Sequence, residues 1–240
     1  MRSRVTHAGK HRPPIDRPDV TALSKRERVY QRLAADLAHA DPSPHSHGHL
    51  GVADTRRMSS PTRVLVDWLR HIEERSGFTD SSEVDQLRID LCRLLASTGV
   101  RDCGAAEALI DQFHLQPPVS AEVLTEAAQA LRELASRDHR DELSRLAADR
   151  TLGVCRSGIL EFLTEHGQQE DVHLVADQIS DPSVRATAIA CLRRFRPTPV
   201  HLIGTVEAYL YDPDSAVREQ ASRTVAVLYA AVFAASSGAI

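Results

Sequence analysis

The chain has 240 residues, room for one sizeable core or for a short repeat array with an extension. Aromatic residues make up 4% of it and no window alternates apolar and polar residues at a period of two, which excludes a sheet-dominated fold. The net charge of −4 conceals an asymmetry: residues 1–60 carry 11 Lys/Arg against 6 Asp/Glu, while residues 61–240 carry 18 against 27, so a basic arm precedes an acidic body that repels nucleic-acid phosphates.

Residues 1–19 place Pro13, Pro14 and Pro18 among charges and offer nothing to bury, a composition that predicts a largely disordered segment. A short helix is predicted over about 25–39, because Ser24 and Glu27 have capping-box spacing and Val29, Tyr30, Leu33 and Leu37 form a narrow apolar stripe. A helix this short is marginal alone and needs a surface, either the first hairpin of its own body or another protein. Residues 41–60, rich in Pro, His, Ser and Gly, read as a linker. The domain boundary therefore falls at 60/61: a flexible basic arm over 1–60 and a helical domain over 61–240.

From Pro61 the pattern is helical throughout, over 62–76, 82–98, 103–114, 120–136, 139–149, 153–166, 170–180, 183–195, 199–211 and 215–233. The connections are short and carry breakers such as Gly77, Gly99, Pro117-Pro118 and Gly167. Antiparallel pairing of these segments gives about five helical hairpins.

Two stretches near the C-terminus are nearly the same: Asp181-Pro182-Ser183-Val184-Arg185 and Asp212-Pro213-Asp214-Ser215-Ala216-Val217-Arg218. Anchored on Val123, Val154, Val184 and Val217, four segments align 31, 30 and 33 residues apart. Four positions on stands a small residue (Ala127, Gly158, Ala188, Ala221), and eight on an apolar one (Leu131, Phe162, Leu192, Val225). These positions share one helix face, and the small residue allows a neighbouring helix to approach closely. Asp181 at a helix start, followed by Pro182, suits an N-cap and first helical position.

The motif and its period resemble the HEAT repeat in its short bacterial, armadillo-type form, well over 170–233, fairly over 119–169, and only as helices over 61–118. The resemblance implies an all-α fold, a short right-handed α-solenoid of about five antiparallel helix pairs. It also implies that Asp181, Arg185, Asp212 and Arg218 form a structural ladder hydrogen-bonded between successive repeats. The function it implies is a non-catalytic scaffold or adaptor that binds proteins through its helical-repeat surface. Some HEAT-like proteins excise alkylated DNA bases from a basic, aromatic groove, so a nucleic-acid-binding or base-excising module is the alternative reading. The acidic body and the single Trp68, placed in the least repeat-like hairpin, weigh against that alternative.

No Walker loop, H-E-x-x-H, G-x-S-x-G or paired-Cys motif is present, and the carboxylates Glu73, Glu74, Glu161, Glu165, Glu170 and Asp171 have solvent-face spacing. His45, His47 and His49, with His39 nearby, are weak metal-ligand candidates, since they fall in a linker where nothing holds ligands in place. His166 ends a helix, where the dipole favours a cationic ring. No enzyme activity and no cofactor are expected. Cys92, Cys103, Cys155 and Cys191 are scattered as reduced structural thiols are, which points to a cytoplasmic setting. Arg2 and Arg4 are followed by no apolar leader, and the longest apolar run, 225–235, is too short to span a bilayer.

The last helix is expected to turn Val225, Leu228 and Val232 towards the preceding repeat, leaving a second apolar face of Ala226, Val227, Ala230 and Phe233. Val227, Ala230 and Phe233 are the candidate partner surface. It is covered either by residues 234–240 folding back or by another molecule, a protein partner or a second copy of the chain.

Overall fold

The computed structural model describes residues 23–40, 60–100 and 104–237, and among them every regular element is helical. The α-helices in chain order are α1 (Lys25–Ala40), α2 (Pro61–Arg70), α3 (Ile72–Ser76), α4 (Ser81–Thr98), α5 (Ala105–Asp111), α6 (Ala121–Leu134), α7 (Arg140–Ala148), α8 (Ser157–His166), α9 (Asp171–Asp177), α10 (Arg185–Leu192), α11 (Ile203–Glu207) and α12 (Ser215–Ser237). Tight 3-10 turns at Gln112–His114, Gln178–Ser180 and Val200–Leu202 adjoin α5, α9 and α11.

Local chemistry sets several of the helix ends. The Ser24 hydroxyl accepts from the Glu27 N–H at 3.2 Å, and the Glu27 carboxylate accepts from the Ser24 N–H at 2.6 Å, the two halves of a capping box. Ser60 caps α2 with Pro61 in its first turn, and Asp80 caps α4 through the Ser82 N–H at 2.9 Å. Gly77 and Gly99 end α3 and α4 at φ of +61°, where a side chain would be strained.

The packing order repeats along the chain. Helix α4 lies on α6, α6 on α8, α8 on α10 and α10 on α12, while α5, α7, α9 and α11 each pack on the helix that follows them in this row. The core runs between these elements, with Val123, Ala127 and Leu131 of α6, Ile159 and Phe162 of α8, Ala188 and Leu192 of α10, and Ala221 and Leu228 of α12 all buried. A Cβ on Gly158 would lie 2.6 Å from the carbonyl oxygen of Ala128, so α8 meets the α6 backbone at a distance only glycine allows.

Three expectations are corrected. Val154, aligned as an inward anchor, is 55% exposed, and Cys155 takes the buried place. The cause is Gly153, whose φ of +54° breaks the helix, so α8 begins at Ser157 and Arg150–Arg156 forms a 3-10 segment. The segment 62–76 is two helices, interrupted at His71, whose backbone leaves the helical region at ψ +35°. Burial in α12 ends at Leu228, and Val232, expected to face the previous repeat, is 37% exposed.

Helix α1 lies on α2, with Val29 and Leu33 buried in the common core. Its polar edge is tied down as well. The Trp68 indole N–H donates to Asp36 at 2.9 Å, Arg32 donates to the carbonyl of Arg75 at 2.7 Å, and the Tyr30 hydroxyl bonds the Asp90 carboxylate. Burial and the adjacent Asp90 push the Tyr30 hydroxyl above its ordinary pKa.

Candidate functional site

The starts of the later helices are joined by arginine–aspartate pairs. Arg140, opening α7, makes a two-pronged contact with Asp171, opening α9, at 2.9 and 3.0 Å. Arg156, just before α8, pairs with Asp181 ahead of α10, and Arg185 of α10 pairs with Asp212 ahead of α12 at 3.1 Å. Arg218 instead turns back to the carbonyls of Asp212 and Pro213 at 2.7 and 2.8 Å.

Arg156 is fully buried and completely satisfied: besides Asp181 it donates to the carbonyls of Gly153 (3.0 Å) and Ala147 (3.2 Å), to Gln178 Oε1 (2.7 Å) and to the Ser183 hydroxyl (3.3 Å). Hydrogen bonds from the Ser183 N–H and hydroxyl, together with the Arg156 guanidinium, hold the Asp181 carboxyl at about 2. Sequence reasoning missed Arg156, because the Val154 alignment displaced it by one position from Arg185 and Arg218. These side chains are occupied by one another and leave little for a ligand.

A second set of charges links the row of helices. Arg93 of α4 pairs with Glu126 of α6 at 2.6 Å, and Arg132 of α6 pairs with both Glu161 and Glu165 of α8 at 2.8 Å. Arg194 beyond α10 also reaches Glu165, and Arg193 donates to Gln220 and Thr224 of α12 at 2.8 and 3.3 Å. Burial pushes the Glu165 carboxyl up, but Arg132 and Arg194 outweigh it and hold it below the usual carboxylate range. Arg93, Arg132 and Arg194 are thus neutralised by carboxylates, while Arg193 has neutral acceptors.

The far end of α12 is of another kind. From Val225 to Ser237 the sequence holds no charged residue, and beyond Leu228 none of its described side chains is buried. Val227 is 37% exposed, Tyr229 41%, Val232 37% and Phe233 68%, with Ala226 and Ala230 exposed between them. The Tyr229 hydroxyl donates to Glu207 of α11 at 2.8 Å, which fixes the ring beside this surface. The structure thus brings Val227, Ala230 and Phe233 onto one exposed apolar stretch.

His45, His47 and His49 lie outside the described residues, as does Cys103. The His166 ring lies tilted against that of Phe162, their centres 5.1 Å apart, and among the described residues no three His, Cys, Asp or Glu are grouped to hold a metal ion. Cys92, Cys155 and Cys191 are buried, and burial pushes the Cys92 thiol up to about 12 and the Cys191 thiol up to about 11, so neither is poised as a nucleophile. No helix among the described residues is long and apolar enough to cross a membrane. Comparisons with protein-family models, with curated proteins and with solved structures found no match to this chain.

Proposed function

We propose that the protein is a non-catalytic scaffold, built as a short HEAT-like α-solenoid, that binds through the apolar end of α12. The repeat reading draws support from the recurring packing order, from the arginine–aspartate pairs at successive helix starts and from the close approach at Gly158. Nucleic acid is the less favoured partner, since Arg93, Arg132 and Arg194 along the α4–α12 row are paired with carboxylates rather than free for phosphates.

The observation that carries the proposal is the uncharged, exposed surface of Val227, Tyr229, Ala230, Val232 and Phe233. Its first occupant is a second copy of the chain. Two antiparallel α12 helices would bring the same patch together about a two-fold axis, alanine against alanine, without burying a charge. Light scattering over a concentration series is the test. A dimer at high micromolar concentration that becomes a monomer on Phe233→Glu is the expected result. A wild-type chain that stays monomeric throughout sinks the self-association, and the patch is then left to a different protein.

A further inference from the structure

Arg88 occupies the same kind of node as Arg156 but lacks its carboxylate. In both, one guanidinium nitrogen donates to the side-chain oxygen of a glutamine in the following 3-10 turn, Arg88 Nη1 to Gln112 Oε1 at 2.7 Å and Arg156 Nη1 to Gln178 Oε1 at 2.7 Å. Both glutamines are held by the helix before them, Gln112 by the carbonyl of Ala108 at 2.9 Å and Gln178 by that of Leu174 at 3.3 Å. Three residues past Gln178 stands Asp181, the carboxylate that closes the node; three residues past Gln112 stands Leu115.

Arg88 is accordingly left with one hydrogen bond. It is 7% exposed, its Nε is buried with no acceptor, and the nearest carboxylate oxygen to Nη2 belongs to Glu73, 4.0 Å away on a side chain that is 79% exposed. Burial lowers the pKa of Arg88, against the pull of Asp85 and Glu73, a sign that its charge is poorly compensated. The residue divides two open clefts of about 470 and 550 Å³, both of which it lines together with Glu73 and Leu115. The first is walled by Phe78, Val84, Pro117 and Pro118. Nε is closed off, but Nη2, the nitrogen through which Arg156 meets Asp181, has no hydrogen-bond partner of its own beside a cleft of mixed apolar and polar lining, and a charged N–H so placed suits a carboxylate oxygen.

We propose that this cleft binds a ligand carboxylate on Arg88, in the place that Asp181 fills for Arg156, with the apolar body of the ligand against Phe78 and Pro117. Glu73 and Asp85 beside the cleft repel a doubly charged phosphate more than a singly charged carboxylate, which favours an organic acid or a peptide C-terminus. The site is separate from the α12 surface and stands or falls independently of it.

The test is titration of the full chain with hexanoate, followed by NMR at the Arg88 side-chain N–H, with hexanamide as the uncharged control. Saturable shifts with hexanoate alone are expected. Leu115→Asp supplies the carboxylate from the chain itself and should both raise the melting temperature and weaken hexanoate binding by about tenfold or more, the loss of one charge-assisted hydrogen bond. Glu73→Gln removes a competitor and should tighten binding. A short apolar peptide with a free C-terminus, run against its amidated form, separates the two sources: a preference for the free peptide over hexanoate assigns a peptide end, and the reverse a small acid. No shift with any of these ligands, equal shifts with hexanamide, or binding unchanged in Leu115→Asp would overturn the proposal.

Discussion

The two ends of the helical row solve the same problem differently. Any stack leaves an apolar face at each end, and such faces need a cover. At the N-terminal end the cover is α1, which buries Val29 and Leu33 and ties Asp36 to the Trp68 indole. At the C-terminal end α12 continues past its last buried residue, Leu228, and presents Val227, Ala230 and Phe233 at the surface. A basic, charged helix suits a permanent lid, because its outer face stays wet. The uncharged end of α12, from Val225 on, suits contact with something else. Under the proposed function, stability is the task of one end and binding that of the other.

The comparison holds only if the two ends belong to one cooperative unit, so the largest effect is expected where the row is seamed between them. Asp181→Ala strips the carboxylate from the fully buried Arg156 and should cost about 3–5 kcal/mol, the penalty of an unpaired buried charge. In a domain of this size that is roughly 2–4 °C in Tm for each kcal/mol, readable by calorimetry. A single lowered transition supports one unit; two separated transitions would show that the ends unfold apart. The same pair makes a pH prediction. The Asp181 carboxyl is depressed to about 2, so its contribution is complete above the unfolded value of about 3.9 and fades as pH falls through about 2. The stability gap between wild type and Asp181→Ala should therefore narrow on acidification across that window, as urea unfolding would measure.

Next in size is the lid. Leu33→Ala removes a buried side chain and should cost about 2–5 kcal/mol. Trp68, the single tryptophan, is 1% exposed beneath α1, so its emission should shift to the red if the lid loosens. Unchanged stability and emission would mean that α1 is an optional attachment, and the contrast between the ends would lose its first half.

What the sequence could tell of this arrangement depended on how local the signal was. The all-α class, the capping box at Ser24 and Glu27 and the glycine-terminated α3 and α4 are written in a few adjacent residues. The small residue at 158 announced a close helix approach through its type alone, and a Cβ there would indeed meet the α6 backbone. The Arg156 node was hidden because its members lie in separate elements and because Gly153 shifts the frame by breaking the helix, which a count of residues cannot register. The Arg88 node was hidden for a related reason: its signal is a leucine where another node has an aspartate, visible only once the two glutamines are seen to hold the same place. The docking of α1 was open in sequence, since a narrow apolar stripe fits its own body or a partner equally well. Tertiary contacts from Trp68 and Asp90 decided it.

The smallest expected change in stability tests the other half of the comparison. Ala230 is exposed in the middle of the uncharged stretch of α12, and glutamate is a good helix former, so Ala230→Glu should alter the stability of the dilute protein by about 0.5 kcal/mol or less. Thermal unfolding at low concentration measures this without contribution from association, whereas at high concentration a self-associating wild type gains stability by mass action and the variant does not. The two melting temperatures should therefore coincide when dilute and diverge as concentration rises. A drop of several degrees already present in dilute solution would place Ala230 against the chain's own residues. Both ends would then be sealed from within, and binding would have to be sought elsewhere on the surface.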